Sequence, residues 1–485
     1  MKTLIVNINR EGFEYDIHSL VKAFFSDCEV KVLFNDTTIS SDEGVPDIFV
    51  NYINDKEILC SIVGAKPFEA KKLIADGLDS HELKNSIKRL LYECCSEYLD
   101  RKLPWGGLTG IRPTKIAREL LDSGSTEDET LQFMKEYYLV SDEKSELSVD
   151  IAQRERSLLA KLHPEKGYSL YIGIPFCPTT CLYCSFTSYP ICSWKNRVPE
   201  YLKALFKEID YVAESFKDKT LDTVYIGGGT PTTLEPDELD ELLGYLTSKI
   251  DMSDVLEFTV EAGRPDSITK DKMAVLKKYN VTRVSVNPQT MNQKTLDYIG
   301  RRHTVEETID IFNMVRGLGF DNINMDIILG LPGENVDEVA HTIEVIKELK
   351  PDNLTVHSLA IKRASRMAQW IEENGFSMIN NTDDTMEVAT KGARDMGMKP
   401  YYLYRQKNMS GNFENTGYAL PGKEGLYNIL IMEEVQTIVA CGAGTVTKRV
   451  YGDGRIERCD NVKDVNLYIS KIEEMIDRKR QLFAD

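Results

Sequence analysis

The sequence predicts an α/β protein whose centre is a partial (β/α)6 barrel, preceded by an N-terminal α+β and helical domain and followed by a C-terminal cap. In the middle of the chain, short apolar and β-branched runs alternate with helical patterns, which is typical of parallel strands covered by helices. A different order of strands and helices precedes this region, and a helix with a late pair of strands follows it. We therefore predict domains at 1–160, 161–382 and 383–485.

The first domain begins with strand-like runs and continues with helices. The runs that favour strands are TLIVNI, EVKVLF, DIFVNYI and EILCSIV, and a helical pattern at about 14–25 follows the first of them. Further helices are predicted at about 68–76, 80–101, 113–123, 127–137 and 143–160. No catalytic chemistry is assigned to this domain.

Six strand–helix units fill the second domain. Their strand runs are SLYIGIPF, DTVYIGGG, LEFTVEAG, RVSVNPQ, INMDIILG and NLTVHSL. Consecutive units of this kind give a parallel sheet with right-handed crossovers. Because a complete barrel of this type has eight units, six units predict a partial one. The third domain begins with a helix and ends with the strand-like run RVYGDGRIER and a terminal helix, so we expect a cap.

Composition narrows the class of protein. The chain has 485 residues and a formal net charge of −18. This charge argues against nucleic acid or an anionic membrane as the main partner, since both attract basic surfaces. The first residues become charged by Arg10 without the apolar core of a signal peptide, and no later run approaches a membrane span. We expect a cytoplasmic protein.

Three cysteines lie in one short loop after the first barrel strand, in the stretch YIGIPFCPTTCLYCSF. These residues are Cys177, Cys181 and Cys184. A disulfide needs two sulfurs, and an ordinary structural zinc site needs four ligands. Three thiolates can converge on a [4Fe–4S] cluster and leave one iron open to a chelating cosubstrate. Zinc with an unidentified fourth ligand is the alternative.

Other unusual residues fall at the carboxyl ends of the later barrel strands, where the site of a parallel βα barrel forms. They are Gly227, Gly228, Gly229, Thr230, Glu261, Gln289 and Asp326. Each of them alone could serve only a turn or hold a loop. Their shared position predicts one site at this edge of the sheet.

The cysteine spacing C-x3-C-x2-C, with Tyr183 before the last cysteine and GGGTPT after the next strand, resembles the radical S-adenosylmethionine (SAM) superfamily. The resemblance implies a [4Fe–4S] cluster on the three cysteines and SAM bound to the open iron. It also implies that one electron from the cluster splits SAM to a 5′-deoxyadenosyl radical, so that the cofactors carry the difficult chemistry.

A closer resemblance rests on the frame around Tyr171 and on the stretches YIGGGTPT, FTVEAGRPD, IGRRHT and NMDIILGLPGE. These are similar to the oxygen-independent coproporphyrinogen III oxidase family, and YRQKNMSGNFENTGY is similar to its HemZ-type branch. The resemblance implies heme biosynthesis, in which propionate side chains of coproporphyrinogen III become the vinyl groups of protoporphyrinogen IX. The residues it implies for SAM are Tyr171, Tyr183, Gly228, Gly229, Thr230, Glu261, Gln289, Arg301, Asp326 and Ala360, with Gly442 and Gly444 lining the same cavity.

The chain departs from that family at two positions. Well-studied oxidases carry a histidine where this chain has Gly173, and a fourth cysteine where it has Phe186. Three thiolates still suffice for the cluster. If the histidine handles a proton or binds a propionate, Gly173 cannot replace it. Cys192 lies too far along the chain to be the missing cysteine, and we expect a buried thiol or a loop thiol.

Two basic groups could meet the four carboxylates of the tetrapyrrole, because arginine forks suit carboxylates. They are Lys362, Arg363 and Arg366 after the sixth strand, and Arg405 with Lys407 further along. The alternatives are solvated lysines and arginines on an acidic surface, or a docking surface for an acidic electron donor such as flavodoxin or ferredoxin. His357, on an apolar strand, is expected to be a core histidine.

The sequence thus favours oxidative decarboxylation of coproporphyrinogen III by a SAM-dependent iron–sulfur enzyme. Two alternatives stay open at this point. One is another radical reaction on a tetrapyrrole, either methyl transfer or ring opening. The other is a heme-binding chaperone that keeps the cluster and has no decarboxylase activity.

Overall fold

The chain folds into two compact units in the computed structural model. It describes residues 2–53, 56–75, 77–110, 112–186, 188–361, 365–375, 378–406 and 413–484. The first unit comprises Met1–Gln153 with Tyr404–Phe413, and the second comprises Arg154–Leu403 with Glu414–Asp485. Residues predicted as a cap therefore share the second unit with the barrel. Among the described residues, no helix combines the length and apolar character needed to cross a membrane.

The first unit is built on a five-stranded sheet in the order β2-β1-β3-β4-β5. Strand β1 runs parallel to β2 and β3, and the remaining pairs are antiparallel. The elements are β1 (Lys2–Ile8), α1 (Glu14–Phe24), β2 (Cys28–Phe34), β3 (Asp47–Ile53), β4 (Glu57–Val63), β5 (Phe68–Leu73), α2 (Ser80–Leu99), α3 (Thr114–Asp122), α4 (Glu127–Tyr138) and α5 (Asp142–Leu159), the last continuing into the second unit.

The helix predicted at about 68–76 is wrong, because residues Phe68–Leu73 form the edge strand β5. The run FEAKKL has good helix formers, but its backbone pairs antiparallel with β4 from Ile62 to Glu57. Half-buried and exposed side chains alternate along it. Pairing with a neighbouring strand outweighs a helix propensity worth only tenths of a kcal/mol per residue, about 0.7 at most for ordinary residues.

The second unit contains the predicted barrel. Its elements are β6 (Gly167–Ile174), β7 (Phe176–Cys177), β8 (Tyr189–Pro190), α6 (Val198–Ser215), β9 (Thr220–Gly228), α7 (Pro236–Lys249), β10 (Glu257–Val260), α8 (Lys270–Lys278), β11 (Arg283–Ser285), α9 (Gln293–Tyr298), α10 (Val305–Gly317), β12 (Ile323–Leu329), α11 (Val336–Leu349), β13 (Asn353–Ser358), α12 (Arg366–Asn374), α13 (Asp383–Asp395), β14 (Lys399–Tyr404), β15 (Asn415–Ala419), α14 (Leu426–Glu433), β16 (Ile438–Cys441), β17 (Val446–Val450), β18 (Ile456–Asp460), α15 (Val465–Ser470) and α16 (Ile472–Phe483).

The six predicted barrel strands pair in the order β6-β9-β10-β11-β12-β13, all parallel. This confirms the partial (β/α)6 fold. The sheet continues past both ends of the barrel. Antiparallel β15 follows β13, and β16 lies parallel beside β6. The parallel pairing of β16 brings Gly442 to the same edge of the sheet as the cysteine loop.

Polar side chains alternate with apolar ones along the barrel strands. Leu170, Val224 and Val356 are buried apolar residues. The positions between them contact one another across the strands: the Thr223 hydroxyl donates to the Ser169 hydroxyl at 2.8 Å, and the Thr355 hydroxyl donates to Asn324 Oδ1 at 3.1 Å. One face therefore packs as a core, and the other forms a polar lumen.

Candidate functional site

The cysteine loop follows β6 and is fixed by backbone hydrogen bonds on two sides. The amide of Leu182 donates to the carbonyl of Ile299 at 3.0 Å, and the amide of Met367 donates to the carbonyl of Leu182 at 3.0 Å. Cys181 is buried, while Cys177 and Cys184 are half-buried. The loop thus presents three thiols from a short, anchored segment at the carboxyl edge of the barrel.

The donor set of this loop fits an iron–sulfur cluster. In the part of the chain that the structure describes, no group of three or more His, Cys, Asp or Glu side chains is arranged around a single metal ion. A [4Fe–4S] cubane offers a different iron to each thiolate. The loop supplies one thiol for each of three irons, from Cys177, Cys181 and Cys184.

Two guanidinium groups surround Cys181. Nη1 of Arg264 lies 3.4 Å from Cys181 Sγ. The positive charge of Arg301 also lowers the pKa of the Cys181 thiol. Nη1 and Nη2 of Arg301 themselves donate to the carbonyls of Asn287 and Gly263. Burial raises the pKa of the Cys181 thiol, but the charges of Arg301 and Arg264 outweigh burial, so that the pKa lies below its usual value. The sulfur is thus prepared to act as a thiolate.

Cys177 lies in different surroundings. Its sulfur is 3.5 Å from the hydroxyl oxygen of Thr230. Burial raises the pKa of Cys177, and the hydrogen bonds of Thr230 and Ser188 offset only part of that effect. The cysteines of one loop are therefore not equivalent before the cluster binds.

His303, in the motif IGRRHT, is a buried imidazole close to the same arginines. It is 1% exposed, and neither ring nitrogen has a hydrogen-bond partner among the residues described. Burial lowers its pKa to about 4, and the charge of Arg301 acts in the same direction. His303 is consequently neutral at neutral pH.

The glycine run after β9 packs directly against the start of the cysteine loop. The amide of Gly229 donates to Ile174 O at 2.8 Å, and the amide of Thr230 donates to Phe176 O at 2.7 Å. A Cβ at Gly229 would lie 2.5 Å from Phe176 O. Glycine is required here because two segments of backbone meet, a reason that adds to the close approach of SAM expected from the sequence.

Glu261 ends β10 and faces the lumen. The hydroxyl of Tyr225 donates to Glu261 Oε1 at 2.5 Å. Burial raises the pKa of Glu261 to about 7, and the charge of Asp326 adds to that shift. Tyr427, from α14, stacks between Tyr171 and Tyr225, with ring centroids 6.0 and 4.4 Å away. A carboxyl group that can hold or release a proton thus lies beside a stack of three tyrosines.

Asp326 is the fourth of the seven residues of β12 and faces the lumen, so it lies within the strand and not at its end as the sequence predicted. The side-chain amides of Asn287 and Asn324 each donate to it at 2.7 Å. Nε2 of His357 lies 3.8 Å from its Oδ2. Burial raises the pKa of Asp326, but the hydrogen bond and charge of His357, with the hydrogen bonds of Asn324 and Thr355, lower it overall. Gln289 reaches the same edge of the sheet in a left-handed backbone conformation, with φ of 68°. Its backbone amide donates to the backbone carbonyl of Asp326.

His357 differs from the sequence interpretation as a core histidine. Its side chain is 27% exposed and lies in the lumen beside Asp326. Ala360 follows β13 and is half-buried. Arg366 is exposed, and its Nη2 donates to the carbonyl of Thr180 in the cysteine loop. Arg366 therefore lies at the rim of the proposed cluster site.

The second basic group predicted from the sequence, Arg405 with Lys407, differs from the first because Arg405 is buried. Arg405 is 5% exposed, its Nη1 donates to Leu108 O at 2.6 Å, and its guanidinium lies 5.8 Å from the ring centroid of Trp105, all within the first unit. The guanidinium of Arg405 is thus engaged by Leu108 and Trp105 and does not form part of a carboxylate clamp for the tetrapyrrole. Lys362, Arg363 and Lys407 fall outside the described residues.

The position of Gly173 has no room for a side chain. A Cβ there would lie 2.5 Å from Cγ2 of Thr445, and a Cβ at Gly442 would lie 2.4 Å from Gly173 O. The hydroxyl of Tyr201 donates to the same carbonyl at 2.6 Å. The loop after β16 thus fills the space that a histidine at position 173 would need.

Sequence reasoning missed four residues of this site. Arg264, Tyr225 and His357 are on strands or loops that were identified, and the period of two along each strand could have placed Tyr225 and His357 on the lumen face. No sequence pattern indicated Tyr427, because this residue reaches the lumen from a helix far along the chain.

The sequence is similar to those of known proteins. Residues 171–346 match the family model of the radical SAM superfamily. The chain is 43% identical over 403 residues to the oxygen-independent coproporphyrinogen-III oxidase-like protein HemZ of Bacillus subtilis, covering 82% of this chain and 80% of that protein. It is 37% identical over 195 residues to the heme chaperone HemW of the same organism, covering 40% and 51%.

The fold is also that of a solved structure. Coproporphyrinogen III oxidase HemN of Escherichia coli superposes with a TM-score of 0.51 at 21% identity, over 66% of this chain and 72% of that chain. The alignment with HemZ spans most of both proteins, and the three-thiol loop lies inside the matched region. The chain therefore belongs to the radical SAM superfamily, in the HemZ branch of the coproporphyrinogen III oxidase-like family, and its cofactors are a [4Fe–4S] cluster and SAM.

Proposed function

We propose that the protein oxidatively decarboxylates propionate side chains of coproporphyrinogen III, giving the vinyl groups of protoporphyrinogen IX. For each propionate, one electron from a low-potential donor would break the sulfonium carbon–sulfur bond of SAM and release methionine, and a hydrogen atom from the β-carbon would pass to the 5′-carbon to give 5′-deoxyadenosine. The carboxylate leaves as CO2, one electron passes to an electron acceptor, and the carbon–carbon double bond forms. The HemZ relative, whose name is oxidase-like, supports this reaction over most of the chain.

The observation that carries the proposal is the polar lumen, which meets the cysteine loop at the carboxyl edge of the barrel. Cys177, Cys181 and Cys184 would hold the cluster at this edge. The two cofactors supply electron transfer and hydrogen-atom abstraction. Glu261 and Asp326, on lumen strands, would hold polar groups of SAM, and Arg301 would hold a group of opposite charge.

Two further residues of the chain would act on the tetrapyrrole. His357 is accessible from the lumen and is oriented by Asp326, so it can donate a hydrogen bond to a propionate carboxylate or hold a proton there. Arg366 is exposed at the rim of the loop and can offer its fork to another carboxylate. Binding of this kind would keep the reacting propionate in a fixed orientation.

The test is anaerobic incubation of the reconstituted protein with SAM, a reductant and coproporphyrinogen III, followed by mass analysis of the tetrapyrrole. We expect loss of CO2 and two hydrogens for each propionate that reacts, together with 5′-deoxyadenosine. His357→Asn should lower vinyl formation at least tenfold and keep the iron content. His341→Asn, at an exposed histidine of α11, should leave product formation unchanged.

A heme-binding chaperone is the second candidate. The similarity to HemW and the filled position at Gly173 favour it, because no side chain there can act on a propionate. Saturable heme binding without any tetrapyrrole product would support the chaperone and overturn the decarboxylase. A methylated or ring-opened product would instead assign a different radical reaction to the same scaffold.

A further inference from the structure

Arg264 connects the loop after β10 to the cysteine loop. Its Nη1 donates to Oγ1 of Thr179 at 3.0 Å and lies 3.4 Å from Cys181 Sγ. Its Nε and Nη2 donate to the two carboxylate oxygens of Asp266 at 2.9 and 2.6 Å. The bidentate pair with Asp266 fixes the plane of the guanidinium and thereby directs the remaining nitrogen at the loop.

The guanidinium is almost completely enclosed. Arg264 is 3% exposed, so its charge is weakly screened by water and acts on the adjacent sulfur in a low effective dielectric. Arg301 is also close to Cys181, but its Nη1 and Nη2 donate to carbonyls at the strand ends. Arg264 donates to the side chains of the loop at two points, Thr179 Oγ1 and Cys181 Sγ.

We propose that Arg264 is a positioning residue for the iron–sulfur cluster, which holds Cys181 in place and raises the reduction potential of the cluster. The proposal rests on the assignment of Cys181 as a cluster ligand made above, and it is independent of the tetrapyrrole reaction. Reduction adds negative charge to the cluster, and hydrogen bonds to its sulfurs set how easily that charge is accepted. A positive donor at Cys181 therefore favours the reduced form.

A purely structural role is the alternative, in which the pair of Arg264 with Asp266 only closes the loop after β10. The two roles differ in what a substitution changes. A structural role alters stability and leaves the potential of a correctly loaded cluster where it was. The proposed role moves the potential even in a variant that folds and loads normally.

The experiment uses the full-length protein with its cluster reconstituted anaerobically, and it measures iron content and the midpoint potential by redox titration followed by electron paramagnetic resonance. In Arg264→Gln we expect wild-type iron content, because all three thiolates remain. The ratio of reduced to oxidised cluster at a fixed potential should fall about tenfold, which is a shift of about 59 mV toward negative potential for one electron.

Arg264→Lys should give a smaller shift in the same direction, because lysine keeps the charge but cannot serve Asp266 and the loop with one planar fork. This milder variant also carries the test if Arg264→Gln does not fold. The matched control is Arg316→Gln. Arg316 pairs with Asp352 at 2.7 Å beside the amino ends of β12 and β13, and its loss should leave the potential unchanged.

Unchanged potentials in both Arg264 variants, with full iron content, would overturn the proposal. So would an equal shift in Arg316→Gln, which would mean that any lost arginine has this effect. Cys181→Ala separates the proposal from its premise. If that variant keeps a complete cluster, the ligand assignment fails; if it loses the cluster while Arg264→Gln keeps it at the wild-type potential, only the role of Arg264 fails.

Discussion

The two larger sheets among the described residues use the same alternation of side chains for different purposes. In the first unit, Leu4, Val6 and Ile48 on one face are completely buried, whereas Glu29 and Lys31 on β2 lie on the exposed side. In the barrel, the face that is not apolar curves onto itself, and its polar groups contact one another. Glu29 and Lys31 of the first sheet thus face water, whereas polar residues such as Asn324 and Thr355 of the second face a shared lumen.

This difference decides where chemistry can occur. A carboxylate facing water is screened and keeps its charge at small cost. Glu261 is enclosed with Tyr225 and Asp326, and its pKa rises to about 7. We infer that the first sheet contributes stability, while the barrel sheet contributes stability through one face and ligand binding through the other. Substitutions in the two sheets should therefore have different effects.

The largest effect is expected for the loop at the barrel edge. Cys181→Ala should abolish both the cluster and the cleavage of SAM, because two thiolates cannot hold the cubane. Iron analysis and 5′-deoxyadenosine formation measure the two losses. Cys192→Ala removes an exposed cysteine nearby and should change neither. Wild-type iron in Cys181→Ala would show that the cluster is held elsewhere.

In the first unit, a core substitution should affect stability alone. Leu91 on α2 is completely buried in the apolar cluster of that sheet. Leu91→Ala should lower the free energy of unfolding of this unit by about 2–5 kcal/mol, the range for deleting a buried leucine side chain. Hydrogen exchange of the first-unit amides measures the change.

The control for Leu91 is Val63→Ala on β4, because Val63 is 54% exposed and its loss should cost little. Cluster content and SAM affinity should remain at wild-type levels in both variants. A large loss of SAM affinity in Leu91→Ala would contradict the division of labour between the two sheets.

On the lumen face of the barrel, a carboxylate substitution should affect binding. Glu261→Ala and Asp326→Ala should each weaken SAM binding by about 1.5–3 kcal/mol, the range for hydrogen bonds to charged groups, with iron content near wild type. Equilibrium binding of SAM to the reconstituted protein measures this loss of affinity. Asp222→Asn is the matched control, since Asp222 is a buried carboxylate near the opposite end of β9. Equal losses in all three variants would mean that these carboxylates are structural.

The smallest effect is a pH dependence from Glu261. Its pKa of about 7 means that the carboxyl group takes up a proton as the pH falls through neutrality. If the ionised form binds a positive group of SAM, affinity should fall about tenfold between pH 8 and pH 6, since one proton is then taken up per site. The Glu261→Gln variant should bind SAM more weakly and without this slope.

The free energy of unfolding should depend on the protonation of Glu261 as well, but its change with pH should have the opposite sign to that of SAM affinity. Folding raises the pKa of Glu261 from 4.5 to about 7, so the folded protein binds this proton more tightly than the unfolded chain. The free energy of unfolding should therefore decrease as the pH rises from about 4.5 through 7. Glu261→Gln should remove that part of the slope, and an identical slope in the variant would place the titrating group elsewhere.

The sequence predicted more of the barrel than of the first unit. Six parallel strands and the three-cysteine loop were readable because strong period-two runs repeat and because cysteine spacing constrains chemistry. The segment at Phe68–Leu73 was mistaken for a helix, since pairing with β4 is a contact that no local pattern records. Edge strands gain their structure from a neighbour, and that neighbour is decided by the fold.

The loop thiols, the strands that place Glu261 and Asp326, and the family of the chain were therefore readable without the fold. Only the tertiary structure decided which side chains meet there. It brought Arg264 to Cys181, His357 to Asp326, and Thr445 into the space beside Gly173. The physical reason is that residue identity and period act along the chain, whereas a charge, a hydrogen bond or a filled volume acts between segments that the fold alone makes neighbours.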